Sequence, residues 1–378
     1  MEPTAVIGPN VTRLRLGRGL SQAQLADQLG ISRVSVGKIE RGLVTPRAKT
    51  LDALARALGA PISELVTPVP ALTNIRFRAR RRVISREQIL AETSSWLSAY
   101  SWLERELGAE APFALQKLNG RRHSPQELAT AARVALEIGA DEPVRDVCGL
   151  LEDHGVKVLM LEKASELFFG LSVGGNDGGP AIVVNTWDRI SVERWIFTAI
   201  HELGHILMHI DAYDRKEAAE NVDEEKEADR FASYFLMPES SFAKEWDETA
   251  GLSFVNRVFK VKRIFRVSYK TVLYRLRESG RMGSDVFAIF QSQYRRRAGH
   301  TLKKVDEPEA LSEGEFRFNW NRASELGDSL SKHDFVGDRL LRLVRQALEN
   351  GVISQTRAGE ILGRTPVEMR TLAAEWVH

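Results

Sequence analysis

Two histidines four positions apart, His201 and His205, stand in a run whose neighbours Trp195, Ile196, Ala199 and Ile200 are apolar. That pattern predicts a core-packed helix from about Val192 to His209. On such a helix both imidazoles share one face, one turn apart, and can bind a single tetrahedral metal ion. Glu202 lies about 100° further round, close enough to an open metal position to hold a water and take its proton. Gly204 lets another backbone or a substrate come near. The chain must therefore fold so that this helix is buried on one side and chemically accessible on another.

A zinc ion used in this way needs a third protein ligand and keeps its fourth position for water. The segment Glu224-Glu225-Lys226-Glu227-Ala228-Asp229-Arg230-Phe231-Ala232 offers carboxylates on a helix. Glu225 and Asp229 are four apart and face the same way. Glu225 is taken as the ligand and Asp229 as the carboxylate that orients a ligand histidine; Glu227 is the other candidate ligand. Asp211, six residues past His205, would be the third ligand of a different zinc-peptidase class. That class needs a glycine at 208, where this chain has Met208. His209 continues the 201, 205 spacing and is read as a structural or substrate-side histidine.

Around this motif the pattern alternates between strand and helix signals. Val156 to Leu161, Phe168 to Val173 and Ala181 to Val184 read as short strands. Helices are expected from about Glu87 to Leu107, with Trp96, Leu97, Trp102 and Leu103 buried, and from Ser124 to Ile138. Helices return from Asp223 to the C-terminus. The fold class is α+β and mostly helical, with a small β-sheet. The 378 residues suffice for two or three domains. No apolar run approaches the roughly 20 residues needed to span a bilayer, and the N-terminus lacks the order of a signal peptide. A single cysteine, Cys148, fits a reducing cytoplasm, so no membrane partner and a cytoplasmic location are expected.

The first 66 residues read as short helices punctuated by Gly30, Gly42 and Gly59, with Ser21 and Ser32 as N-caps. Two short helices joined through Gly30-Ile31 make a helix-turn-helix, whose second helix enters the DNA major groove. Arg33, Val34, Ser35 and Lys38 would reach base edges, with Arg33 or Lys38 on guanine. Gln22, Arg41 and Lys49 would meet phosphates. Residues 1–66 hold nine Lys/Arg against five Asp/Glu, and residues 254–300 hold twelve against two. Both regions are basic enough to attract phosphate, although the second also reads as solvated helix faces. Pro68-Val69-Pro70 followed by Arg76-Phe77-Arg78-Ala79-Arg80-Arg81-Arg82 reads as a boundary, either a solvated linker or a hold on DNA backbone. Tyr269 to Glu278, and Ile353 to Leu362 with Gly363-Arg364-Thr365-Pro366, have a helix-turn cadence read as packing or partner contact.

The residues Phe197 to His205, then His209, then Glu225 through Met237-Pro238, resemble the ImmA/IrrE family of metallopeptidases over about 140–280. Asp229 stands where that family often has Asn, and Ile200 precedes the first histidine where Ala is common; neither change removes a ligand. The resemblance implies a zincin-like, gluzincin-type site with Zn2+ on His201, His205 and Glu225. It also implies cleavage of a protein partner, often a repressor released under stress or DNA damage. Ser21 to Ala26, Gly30-Ile31-Ser32, Ile39 to Gly42 and Pro46 resemble the lambda-repressor-like XRE family over about 7–66. That resemblance implies a five-helix domain and a homodimer on a near-palindromic double-stranded DNA operator.

The expected layout is a DNA-binding domain at 1–68, a basic linker and helical connector at 69–140, a peptidase domain at 141–280 and a helical region at 281–378. The expected function is a bacterial transcriptional regulator with zinc-dependent, site-specific endopeptidase activity that is either constitutive or latent until a partner acts. Two alternatives stand beside it: a regulator whose zinc site only senses or docks a partner, and an antitoxin-like neutralising protein.

Overall fold

The computed structural model describes residues 3–60, 62–68, 72, 75–79, 86–119, 123–165, 167–209, 221–303, 307 and 330–376. In chain order come α1 (Pro3–Gly17), α2 (Gln22–Leu29), α3 (Arg33–Glu40), α4 (Ala48–Ala57), α5 (Ile62–Val66), β1 (Ile75–Ala79) and α6 (Arg86–Leu107). Then follow α7 (Pro125–Ala135), α8 (Val147–Asp153), β2 (Lys157–Leu161), β3 (Phe168–Val173), β4 (Ala181–Asn185), α9 (Val192–Met208) and α10 (Val222–Leu236). Among the described residues the remaining helices are α11 (Glu239–Glu248), α12 (Phe254–Phe265), α13 (Tyr269–Glu278), α14 (Val286–Ala298), α15 (Arg339–Glu349), α16 (Gln355–Leu362) and α17 (Pro366–Glu375). Among the described residues the chain is mostly helical, with one small sheet. It forms two compact units, one of residues 1–72, 81–108 and 347–378, the other of 73–80 and 109–346. No described helix is long and apolar enough to cross a membrane.

In the first unit, α1–α5 close around Val11, Leu25, Val36, Leu54 and Leu65. Local chemistry sets the helix ends. Ser21 and Gln24 form a reciprocal capping box on α2, Gly30 leaves it at φ 64°, and Ser32 accepts the Ser35 N–H to start α3. A buried ion pair of Arg15 Nε with Glu40 Oε1, 2.5 Å, ties α1 to α3. In α6 the fully buried residues include Ile89, Leu97, Tyr100 and Leu103, while Trp96 and Trp102 are only half-buried. The tryptophans expected inside thus flank the buried stripe. Ile89 and Tyr100, absent from the expected set, fall on its 3.6-residue period.

In the second unit the sheet order is β1-β3-β4-β2. β2 runs parallel to β4 from Lys157↔Ala181 to Leu161↔Asn185, while β3 runs antiparallel to β4 from Gly170↔Val184 to Val173↔Ala181. All five residues of β4 are buried, as an inner strand requires. The three expected strands are present within a residue of their predicted ends. The fourth is additional. Ile75–Ala79, which reads in sequence as a boundary segment, is an edge strand antiparallel to β3 with Arg76 opposite Ser172. Its Ile-Arg-Phe-Arg-Ala alternation has the period of a strand, but its charge and its distance from β3 in sequence conceal the pairing. Arg80, Arg81 and Arg82 lie outside the described residues.

The basic stretch 254–300 also differs from its surface reading. Lys260, Lys262 and Arg275 are buried. Lys262 Nζ sits 2.8 Å from Glu193 in the first turn of α9 and 2.9 Å from Glu307. The Arg275 guanidinium donates to the carbonyls of Ser233 (3.1 Å) and Met237 and lies 3.4 Å from the centre of the Tyr234 ring. Lys262 and Arg275 tie elements together and Lys260 is buried, so the formal charge of the segment overstates what solvent meets.

Candidate metal centre and nucleic-acid interface

The candidate metal centre is built on α9, whose residues from Thr198 to Leu207 are all buried. The helix packs on β3 and β4 on one side and α10 on the other. Gly204 is required at the second contact: a Cβ there would lie 2.9 Å from Cδ1 of Phe231. That close approach brings the acidic first turns of α10 over the two histidines.

Three donor groups converge. His201 Nε2 and His205 Nε2 are 2.9 Å apart, and the Glu225 carboxylate reaches them at 3.3 and 3.2 Å respectively. Among the described residues His201, His205 and Glu225 form the one group whose donor atoms all lie close enough to share an ion. The far side of each imidazole is held as well. His201 Nδ1 is 2.8 Å from Asp229 Oδ1. His205 Nδ1 is 2.8 Å from His209 Nδ1, and His209 Nε2 is 2.9 Å from Glu227 Oε2. Donating Nδ1–H to these partners leaves both Nε2 lone pairs pointing into one small volume beside a carboxylate. Such an arrangement suits a cation. A tetrahedral zinc with ligands at about 2.0–2.2 Å would separate neighbouring donors by roughly 3.3–3.5 Å, close to the observed triangle.

The electrostatics follow from burial. Burial pushes the His205 imidazole well below its ordinary range, only partly opposed by Glu225, so it stays neutral and able to coordinate. His209 is lowered for the same first reason, against Glu227. Burial works against the charge of Glu225, but its position beside His201 and His205 outweighs burial and holds the carboxyl well below the usual carboxylate range.

Glu202 is fully buried, and its Oε2 accepts a hydrogen bond from Ser172 Oγ of β3 at 2.8 Å. A Cβ at Gly170, two residues back on that strand, would lie 2.7 Å from Thr198 Cγ2 and 3.3 Å from Glu202 Oε1. The sequence pattern does not single out Ser172 or Gly170. Their alternation on β3 is the available signal, but nothing in it indicates which strand faces α9.

Arg76 is the larger omission. Its guanidinium donates to Glu224 and, at 3.2 Å, to Oε1 of Glu225. Burial disfavours its charge, and the two carboxylates more than restore it. Glu225 thus lies beside the Nε2 atoms of both histidines and Asp229 beside Nδ1 of His201, whereas Glu227 reaches His209. Asp211 lies outside the described residues.

In the first unit the second helix of the motif, α3, presents Arg33, Val34 and Lys38 to solvent, with Val34 63% exposed. Ser35 is half-buried and shares a hydrogen bond with Ser32 Oγ at 2.8 Å. Arg41 and Lys49 are exposed, the former donating Nε–H to the Gly37 carbonyl at 3.0 Å. Gln22 is half-buried and its Nε2 donates to Glu40 at 2.6 Å, which also holds the side chain against the motif's own frame.

A helix-turn-helix head and a peptidase-like domain with a convergent His-His-Glu group together define a regulator of mixed build. The helix-turn-helix family (HTH_3) matches residues 11–65, and the IrrE N-terminal-like domain family (Peptidase_M78) matches residues 151–277. The chain is 40% identical over 68 residues to the HTH-type transcriptional regulator y4dJ of Sinorhizobium fredii, 18% of this chain and 88% of that protein. It is 38% identical over 60 residues to the immunity repressor protein of Bacillus phage phi105, 16% of this chain and 42% of that protein. It is 30% identical over 71 residues to the cryptic phage CTXphi transcriptional repressor RstR of Vibrio cholerae, 19% of this chain and 64% of that one. The chain spans less than two thirds of the length of the latter two. It belongs to the XRE-type helix-turn-helix transcriptional regulators and carries an ImmA/IrrE-like peptidase domain behind the head.

Proposed function

We propose that this regulator binds a double-stranded DNA operator as a homodimer and is also a zinc-dependent endopeptidase acting on a protein partner, a repressor in a stress- or phage-related circuit. The observation that carries the second half is the convergence of Glu225, from α10, on His201 and His205 of the buried helix α9, which also carries Glu202. His201, His205 and Glu225 would hold the ion, and Asp229 would fix the ring of His201. When bound, zinc supplies Lewis acidity that acidifies a water and polarises an amide carbonyl. Glu202, steadied at Oε2 by Ser172, takes the proton of the attacking water and returns it to the departing amine. Arg33, Val34, Ser35 and Lys38 read bases, and Gln22, Arg41 and Lys49 hold phosphates.

Replacing Glu202 by Gln should lower cleavage by about 100-fold or more while zinc content and operator affinity stay as in the parent. Labelling of new protein N-termini in cells expressing either form reads this directly. If every new terminus made by the parent is also made by E202Q, the peptidase reading fails. A second reading, in which the domain senses or docks a partner without cutting it, draws support from the complete burial of His201, Glu202 and His205.

A further inference from the structure

We infer that the outer edge of β3 is the track on which a peptide docks at this site, and that the chain's own residues 75–79 occupy it. The inference rests on the proposed peptidase site and names both its regulation and the character of its substrate. β3 contacts the catalytic helix α9 directly, and its Ser172 holds Glu202. An edge strand offers unpaired N–H and C=O groups to any extended chain. Here that edge is filled by β1, which lies far from β3 in sequence and pairs antiparallel from Ile75↔Val173 to Ala79↔Phe168. Paired residues of neighbouring strands share a face. Arg76, opposite Ser172, therefore projects on the α9 side, where its guanidinium reaches Glu224 and Glu225.

Three consequences follow for the site. The groups around which the ion, water and substrate must gather, His201, His205 and Glu202, are at 0% exposure with β1 in place. The position beside the metal ligands is an acidic subsite, with Glu224 as the residue that selects a basic side chain. A competing substrate is then an extended peptide carrying arginine or lysine at the position of Arg76, and it must displace β1 to bind. The strand is suited to displacement: β1 is an outer strand of five residues, with a pairing irregularity between Arg78 and Ala79.

The test uses the full-length protein and a fluorescently labelled peptide with the sequence of residues 75–79, read by anisotropy with and without zinc. Two variants open the edge: Arg76→Ala, which removes the ion pairs, and the pair Arg76→Pro with Phe77→Pro, which removes strand N–H donors. Either should bind the peptide at least tenfold more tightly than the parent, and amides of β3 should exchange faster in the double proline variant. Adding Glu224→Gln to the double proline variant should weaken peptide binding several-fold. If folded Arg76→Ala and the folded double variant both bind no better than the parent, the inference is overturned, whatever the parent cleaves. If the opened edge binds the peptide but never cuts it or any partner, the inference stands and the peptidase reading alone fails.

Discussion

The reading head and the metal centre are both built from helices and charged side chains, yet they use charge in opposite ways. On α3, Arg33 and Lys38 point into solvent and are available to a ligand from outside. Around α9, Arg76, Glu225, Asp229 and Glu227 are committed to one another or to histidines. The head is assembled from one short continuous segment, so its surface is what the segment leaves over. The centre is assembled from strands and helices up to about 150 residues apart, so each polar group is placed by a partner remote in sequence. A locally built surface is free to recognise, and a site built by long-range packing is rigid enough for chemistry.

The comparison can be broken at several points, beginning with the largest expected effect. If burial by remote segments sets the charge states of the second unit, Glu152 of α8 should show it away from the histidine cluster. This residue is 2% exposed and accepts the Arg339 backbone N–H at 3.1 Å. Burial pushes its carboxyl up to about 7, against that hydrogen bond. The unfolded chain ionises from about pH 4.5 upward while the folded chain keeps its proton, so stability falls between those values and stays lower above them. Glu152→Gln should therefore raise stability at pH 8 by on the order of 3 kcal/mol and change little at pH 4. Equal melting temperatures for parent and variant at pH 8 would contradict this.

Smaller effects are expected around the proposed zinc site. Asp229→Ala removes the partner of His201 Nδ1 without removing a donor to the metal. Zinc affinity measured by chelator competition should fall about 10- to 100-fold. An unchanged affinity would mean that the packing of α9 alone orients the ring.

On the head, Arg33→Ala should cost about 1–3 kcal/mol of operator binding and relax the preference at one base position. Lys49→Ala should act more weakly and on all sequences alike, lowering the salt slope of binding by about one. Were Lys49→Ala to change base preference instead, the division between reading and positioning residues would have to be redrawn.

Most of the head is legible in the amino-acid sequence, because its rules are local. Capping serines at 21 and 32, glycine at 30 and apolar residues at helical spacing act within a few positions. The same holds for the two-histidine helix, the carboxylates at i, i+4 on α10 and the strands β2, β3 and β4. By itself, then, the sequence determined which residues belong to each of these elements and which faces are apolar. Only the tertiary structure decided which elements meet. It set Arg76 beside Glu225, Ser172 beside Glu202 and His209 between His205 and Glu227, and it buried Lys262 and Arg275 in a segment that counts as strongly basic. The reason is physical: helix and strand periods are fixed by the backbone within a turn or two. The pairing of a strand with β3, and the cost of burying a charge, depend on groups that the chain brings together only when it packs.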